Sequence, residues 1–477
     1  MLIKNKTLLI IALAFLTLAS GLLISYFNIL ALGIIFALCF FIFGVLLIFK
    51  NPFYGVLLIT FFLPFEHLGT LEVGRFTLKI NHIFGLITIL AWTLTMLIRK
   101  KVKFEKLPIA VPLLIFIVIN ILSFTQAVNF FRAVTVFIFT LFSLLISLAV
   151  VNLVRNQKHL DKLIKVLFIS AFIVSLFGLF QFVGDLIGLP ESITGLRDLY
   201  TKEVFGFPRV HSTALEPLYF ANYLIIPIML CLAFLLSKKR KIKWYWLLIL
   251  LVLMLTNFVL ALSRAAYIAL AFAFIFILII YFKRFFSLKR LIIILLVLLA
   301  VYGIFTRVFG LTEDFPLYVD RFATQATNLF SGASFSDRAQ TFEKAWQMFK
   351  ERPWLGVGTG NFGPNVAWYP LVTPPRGWLI VNNIFLEIMA ETGIFGFLSF
   401  ISILVILFLR SIKALVKTKN SYLKAIMAGL LAAFVGVIVQ YQTFSILYII
   451  HIWFLFGLMI AVQNIILKNS QKNKESL

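Results

Sequence analysis

AVTVFIFTLFSLLISLAVVNL, the stretch at residues 133–153, contains no Asp, Glu, Lys or Arg and is long enough to cross a bilayer as one helix. Its apolar residues are continuous and do not alternate with polar ones, so the pattern predicts a helix and not a strand of a membrane barrel. Over the 477 residues, 62% are hydrophobic and 13% are charged. This composition is typical of multi-span membrane proteins and too apolar for a water-soluble fold.

Stretches of the same kind recur along the whole chain. They predict an all-α, polytopic integral membrane protein with about 12 to 14 transmembrane helices. A short run begins at Pro52 and is a candidate broken or re-entrant helix. The apolar runs fall at 8–27, 29–49, 53–65, 80–98, 108–125, 133–153, 163–183, 217–236, 244–262, 265–282, 291–306, 383–409, 425–440 and 444–466.

The positive charges are concentrated in alternate connections between these runs. Cytoplasmic loops of membrane proteins collect Lys and Arg, so this pattern explains most of the net charge of +25 without nucleic acid as a partner. It predicts that both termini are cytoplasmic. The basic clusters lie at 99–106, 238–243, 283–290 and 413–419.

The same pattern divides the chain into five regions. We predict N-terminal transmembrane helices at 1–183, a central transmembrane region with outer-face arginines at 184–306, and a large extracytoplasmic loop at 307–382. C-terminal transmembrane helices at 383–466 and a cytoplasmic tail at 467–477 follow. A loop as long as the third region is usually functional or disordered, and its sequence is not of low complexity.

Within the large loop, residues 338–350 place Phe342, Ala345, Trp346 and Phe349 at helical spacing. This pattern predicts an amphipathic helix. Its apolar stripe would either lie on the membrane surface or pack on the spans beneath, and the sequence leaves both open.

Arginines at three outer junctions are candidate catalytic residues. Arg264 stands between two apolar runs, where a charge normally faces a wet cavity or binds an anion, although an arginine extending to the interface is the alternative. Arg209 precedes His211 and Glu216 at the mouth of a span, and Arg338 begins the amphipathic helix. Glu216-Pro217 also fits an ordinary helix start.

Three further pairs of residues are candidate substrate-binding elements. Backbone N–H groups at Gly358 and Gly360 could hold a phosphate, although a turn that closes the helix explains the same pattern. Asn382 and Asn383 return the loop to the membrane. Glu387 and Glu391 share one helical face, either as counter-charges to the arginines or as partners of the helix dipole.

Other common sites have no counterpart in the sequence. It lacks an Asp-x-Asp pair, a Walker phosphate loop and a His/Cys cluster at metal-ligand spacing, so neither a metal nor a cofactor is predicted. Its two cysteines, Cys39 and Cys231, lie inside apolar runs and indicate no disulfide framework.

In four segments the chain resembles the superfamily of O-antigen ligases and O-antigen polymerases. These membrane glycosyltransferases take a glycan from an undecaprenyl-pyrophosphate carrier at the outer face of the bacterial inner membrane. The segments are RVHSTALEPLYFANYL (209–224), LSRAA (262–266), RAQTFEKAWQMFKERPWLGVGTGNF (338–362) and NNIFLEIMAETGIFG (382–396). In the family, the third lies in the large periplasmic loop and the fourth opens the next span.

The resemblance implies a metal-free displacement in which Arg209, Arg264 and Arg338 stabilise the leaving pyrophosphate. Family ligases usually have His-Asn where this chain has Asn382-Asn383, and Asn cannot accept a proton at neutral pH. Glu216 or His211 would then act as the general base. The missing His favours a surface-polysaccharide polymerase slightly over a ligase of lipopolysaccharide biosynthesis.

The resemblance also implies the partners: a lipid-linked glycan donor, a glycan or lipid acceptor, membrane lipids and other polysaccharide assembly proteins. Two other functions remain open at this point. A small-anion transporter would favour ionisable groups near the midplane and matching broken helices in two halves. A non-catalytic member of a polysaccharide assembly complex is the other.

Overall fold

The computed structural model describes residues 37–67, 71–73, 76–98, 104–237, 241–285, 288–309, 333–374 and 377–475, with 35, 100 and 320 as single residues. The predicted first span at 8–27 and much of the large loop, at 310–319 and 321–332, lie outside these residues. The described chain is almost entirely helical, which confirms the predicted all-α membrane class. A small antiparallel hairpin, β1 (Leu71–Val73) and β2 (Phe76–Leu78), is the addition to that class.

The helices follow the apolar runs. They are α1 (Ala37–Lys50), α2 (Phe53–Phe62), α3 (Ile80–Ile98), α4 (Ala110–Ser123), α5 (Phe130–Leu153), α6 (Gln157–Leu186), α7 (Glu191–Thr194), α8 (Lys202–Phe205), α9 (Pro217–Leu236), α10 (Trp244–Leu260), α11 (Arg264–Phe285), α12 (Leu288–Phe309), α13 (Ala333–Glu351), α14 (Phe362–Val366), α15 (Ile384–Lys417), α16 (Ser421–Gln440) and α17 (Ile450–Glu475).

Eight helices of the described chain are long and apolar enough to cross a membrane, and five shorter apolar helices accompany them. The short helix α2 begins after Pro52 and ends at Phe62, as the short apolar run predicted. In the most apolar 18-residue stretch of each helix, 83%, 78% and 94% of the residues are buried in α9, α16 and α17, whereas only 33% and 28% are buried in α3 and α11. The first three therefore form the protein interior, and the other two present a wide apolar face outward.

The connections between helices meet in two groups. At one end, called the basic end, Asn464 donates a hydrogen bond to the Lys106 carbonyl, and Lys241 forms an ion pair with Asp161. At the opposite end, called the polar end, residues 64–67, 123–132, 197–216, 260–264 and 359–391 contact one another. Lys106 and Lys241, from two of the predicted basic connections, thus lie at the end opposite the segments with the candidate site residues.

The predicted amphipathic helix is present as α13, and its apolar stripe packs against protein. Ala345 is fully buried in a cluster with Phe362, Val381 and Ala390, and Phe342 packs on that cluster. Trp346 stays 45% exposed. Of the two interpretations left open by the sequence, packing on the neighbouring span therefore describes most of the stripe.

Helix α15 is broken at Gly393, where φ is +66° and the backbone is not helical. The break leaves the carbonyls of Ala390 and Glu391 available, and they accept hydrogen bonds from the N–H groups of Val357 and Gly358. A Cβ at Gly393 would lie 2.3 Å from the Trp354 carbonyl oxygen, so this close approach requires glycine. The break joins the turn at residues 353–362 to the first part of α15.

Candidate functional site

The structure brings the three predicted arginines together from separate segments. Arg209 donates a hydrogen bond from Nη2 to the Leu262 carbonyl at 3.2 Å, two residues before Arg264. Its guanidinium lies over the Tyr200 ring, 5.7 Å from the centroid. Arg209 and Arg264 thus approach each other at the polar end, where the connection after α10 turns into α11.

Arg338 joins this pair from the large loop. Burial lowers the pKa of the half-buried Arg338 guanidinium, and the nearby positive charge of Arg264 lowers it further. Two like charges held close together are mutually repulsive, and an anion between them would remove that repulsion. An anion bound between Arg264 and Arg338 would therefore be stabilised by both positive charges.

Thr341 connects the first part of α13 with residues 381–383, which include the candidate substrate-binding asparagines. The Thr341 hydroxyl lies 2.8 Å from the Arg338 carbonyl and 2.9 Å from the Val381 carbonyl. Asn382 follows directly and has a left-handed backbone with φ of +59°. Arg338 and Asn382 therefore belong to one unit of the structure, although 44 positions separate them in the sequence.

Glu216 lines a cavity at this end, which encloses about 800 Å³. Its side chain does not cap α9, even though the residue occupies the N-cap position. Burial raises the pKa of Glu216, Arg197 and Arg209 oppose that rise, and Glu66 adds to it. A carboxylate with a raised pKa at the edge of a cavity is suited to accept a proton near neutral pH.

His211 is fully buried, and both of its ring nitrogens are occupied. Nδ1 donates to the Ala214 carbonyl at 2.8 Å, and Nε2 accepts the Arg197 backbone N–H at 3.3 Å. Burial lowers the pKa of His211 to about 4. These contacts give the imidazole a structural task in the connection before α9 and favour Glu216 as the proton acceptor.

Arg132 is a cavity residue that the sequence interpretation missed. It donates a hydrogen bond from Nε to the Gly360 carbonyl at 2.5 Å, and its guanidinium lies 5.5 Å from the centre of the Trp378 ring. Both side chains line the cavity together with Glu216. The sequence criterion that identified Arg264, an arginine at the start of an apolar run, applies equally to Arg132. Arg132 lies at the start of α5, as Arg264 does at the start of α11.

Glu391 holds the glycine-rich turn in place. Its two carboxylate oxygens accept the backbone N–H groups of Gly360, at 2.7 Å, and Phe362, at 3.0 Å. The N–H of Gly358 already bonds to the Glu391 carbonyl. The N–H groups of both predicted glycines are thus engaged within the protein, which favours a closing turn over a phosphate cradle.

Glu387 and the two asparagines organise the return into α15. The Glu387 carboxylate accepts hydrogen bonds from the Val381 N–H and from the Ser445 hydroxyl, and it lines the cavity. Asn383 caps α15 by accepting the N–H groups of Phe385 and Leu386. Asn382 donates its backbone N–H to Ser445 at 3.0 Å.

A buried polar chain lies behind the site, and sequence reasoning did not identify it. The His451 ring is 2.6 Å from the side-chain amide oxygen of Asn222 and 3.8 Å from the Glu66 carboxylate, and the Asn222 side chain donates to Gln440 at 2.7 Å. All four side chains are at least nine-tenths buried. Polar groups in an apolar interior are costly unless paired, so this network fixes the relative positions of α9, α16 and α17.

Residues 249–401 match the protein-family model described as O-Antigen ligase. The match supports the resemblance inferred from the four sequence segments and indicates a multi-pass membrane glycosyltransferase-type enzyme. It contains Arg264, Arg338, Asn382 and both carboxylates of α15, whereas Arg209 and Glu216 precede it. The comparison with curated proteins finds no match.

Proposed function

We propose that this chain, whose residues 249–401 match the O-antigen ligase family, transfers a glycan from an undecaprenyl-pyrophosphate carrier to an acceptor at the outer face of the inner membrane. The reaction is metal-independent. The product is a surface polysaccharide, with polymerase activity slightly favoured over ligase activity because Asn382 stands where family ligases usually have His.

The convergence of Arg209, Arg264 and Arg338 carries this proposal. They come from three separate segments. Arg209 bonds to the Leu262 carbonyl beside Arg264, and the half-buried Arg338 lies near the positive charge of Arg264. A pyrophosphate is a multiply charged anion that such an arrangement would bind, and planar guanidinium groups bind phosphate oxygens in pairs. The leaving pyrophosphate gains charge as its bond to the sugar breaks, so the arginines would stabilise the transition state more than the ground state.

In the proposed step, the bond between the anomeric carbon and the pyrophosphate oxygen breaks. The acceptor hydroxyl oxygen forms the new bond to that carbon, and its proton passes to the Glu216 carboxylate. Undecaprenyl pyrophosphate leaves with its charge neutralised by the arginines. No redox partner is needed, and Glu216 returns the proton to solvent to complete the cycle.

The cavity beside Glu216 is proposed as the site for the acceptor glycan. Its volume of about 800 Å³ lies within the usual range for small-molecule sites. Trp378 offers an aromatic face, and Tyr448 adds a hydroxyl able to form hydrogen bonds with sugar hydroxyls. Asn382 and Glu387 would position the acceptor from the first turn of α15.

The topology belongs to the same proposal. We place both termini in the cytoplasm and the polar end outside, because the basic connections meet at the opposite end. The donor would then enter from the outer leaflet, with its polyprenyl tail between spans. Polysaccharide assembly proteins are proposed partners, as the family resemblance implies.

The test combines a deletion with a point variant. Deleting the gene should remove long surface polysaccharide, and single-repeat lipid-linked units should accumulate if the enzyme is a polymerase. Long chains left on the carrier would indicate a ligase. Unchanged glycans together with altered solute uptake would contradict glycan transfer and support an anion transporter.

The point variant Glu216→Gln keeps the shape of the side chain and removes its ability to accept a proton. We expect the full-length variant to be produced normally and to show no transfer. His211→Asn, which keeps a donor toward the Ala214 carbonyl, should retain transfer when the protein folds. Full activity of Glu216→Gln would exclude Glu216 as the base.

A further inference from the structure

A second cavity lies at the basic end, far from the candidate active site. It encloses about 740 Å³ between α15, α17 and the connection before α4. Five cationic side chains line it, and no carboxylate is among its described lining residues. The cationic residues are Lys106, Arg410, Lys413, Lys417 and Lys468.

Most of the positive charge in this cavity is not neutralised by other described side chains. Lys468 pairs with Glu105 at the edge, and the other four cations form no ion pair with a described carboxylate. Arg410 donates from Nη2 to Asn464 at 2.8 Å, while its Nη1 is buried and makes no hydrogen bond within the same residues. A buried guanidinium donor without an acceptor is costly, and an anionic oxygen would satisfy it.

The site around Arg410 is held by further contacts. Asn464 is 6% exposed and links the two walls, because its amide also donates to the Lys106 carbonyl at 2.9 Å. The guanidinium is therefore fixed by α17 before any ligand arrives. Lys413 and Lys417 follow Arg410 on α15 at intervals of three and four residues, so all three side chains point to one face of that helix.

The wall next to these cations is apolar and open to the side. Ile406, Leu409 and Leu467 line the cavity, and Leu409 is 59% exposed. Val416, one residue before the end of α15, is 79% exposed. Within a membrane such side chains face acyl chains. The cavity therefore combines a cluster of cationic side chains with an apolar, lipid-facing wall.

We propose that this cavity binds the anionic phosphodiester headgroup of one membrane phospholipid, with its acyl chains along α15. A free phosphate would satisfy the cations and leave the apolar wall without a partner, which is why the lipid is the better occupant. The bound lipid would join α15 to α17 at the end opposite the active site. This inference does not depend on the reaction that the polar end performs.

The test uses the full-length protein in a neutral detergent, titrated with phosphatidylglycerol and followed by thermal unfolding. We expect saturable stabilisation, absent with phosphatidylcholine and with inorganic phosphate. The double variant Lys413→Gln/Lys417→Gln removes two exposed cations and should weaken the apparent affinity roughly 25-fold, at about fivefold per cation. Arg410→Gln should abolish the saturable phase.

Lys424→Gln is the matched control, because Lys424 is exposed near the start of α16 and does not line the cavity. Its affinity for phosphatidylglycerol should stay within about twofold of the unmodified protein. An equal loss in this control would show general surface attraction and overturn the proposal. Equal stabilisation by inorganic phosphate would overturn the lipid assignment.

Discussion

Replacing Glu391 by Ala should loosen the turn at residues 353–362 and leave the helical bundle intact. The carboxylate of Glu391 accepts two backbone N–H groups, those of Gly360 and Phe362, at 2.7 and 3.0 Å. Both residues are buried, and Glu391 is the acceptor that the protein supplies to their N–H groups. The change therefore leaves two buried donors unsatisfied and opens a cavity beside the broken part of α15.

The magnitude follows from these two bonds. A buried donor left without a partner costs about 1–3 kcal/mol, so two cost about 2–6 kcal/mol. At roughly 2 °C per kcal/mol, the value for larger domains, the unfolding temperature should fall by about 4–12 °C. Glu391→Gln keeps one acceptor oxygen and should fall between Ala and the unmodified protein.

The assay is thermal unfolding of the full-length protein in detergent, combined with limited proteolysis of the 353–383 segment. Glu343→Ala is the matched control, since Glu343 is exposed on α13 and its loss should change stability by less than about 0.5 kcal/mol. Faster cleavage is expected only in the Glu391 variants. Equal unfolding temperatures for Glu391→Ala and Glu343→Ala, with unchanged cleavage, would refute the anchoring role.

Three further predictions concern the candidate site. Arg338→Gln should lower the rate of glycan transfer about a hundredfold or more. The control Arg307→Gln, at an exposed position on α12, should leave the rate unchanged. Equal rates for the two variants in an assay with lipid-linked donor would contradict the proposed anion site. Burial raises the pKa of Glu216, so its ionised, proton-accepting form requires a higher pH than an ordinary carboxylate does, and the rate of transfer should fall on the acid side at a pH above 4.5. The stability that the protonated carboxyl group contributes is lost as pH rises through the raised pKa. Glu216→Gln should therefore raise the unfolding temperature at neutral pH. The pKa of His211 is lowered from 6.5 to about 4, so the neutral imidazole contributes up to about 3 kcal/mol to the free energy of unfolding. This contribution is fully present above pH 6.5 and is lost as pH falls toward 4. An unfolding temperature that does not change with pH, or that falls equally steeply in His211→Asn, would contradict this prediction.

Much of the fold could be predicted because membrane insertion depends on local composition. The apolar runs predicted the helices, including the short one after Pro52, and the amphipathic pattern predicted α13. The pattern could not show whether the apolar stripe of α13 would meet lipid or protein. That depended on Ala390 and Val381, which contact Ala345 from another part of the chain.

The candidate site was only partly predictable. Arginines between apolar runs are visible in a sequence, since charge there is costly and needs a reason. Arg132 gives the same signal as Arg264 and was still missed, because it was not in a segment that resembles the family. The buried chain of Glu66, Asn222, Gln440 and His451 joins residues from three distant parts of the sequence, and no local pattern marks them.

The sequence by itself determined that this protein spans a membrane many times, because hydrophobicity and charge placement act through each residue's own neighbourhood. It also supplied the three arginines as candidates. Only the tertiary structure distinguished the surroundings of groups with similar chemistry: His211 and Glu216 lie five positions apart, but one is enclosed by hydrogen bonds and the other faces a cavity. Whether a side chain can accept a proton depends on its burial and on its hydrogen-bond partners. The residues that bury it and bond to it come from segments that only folding brings together.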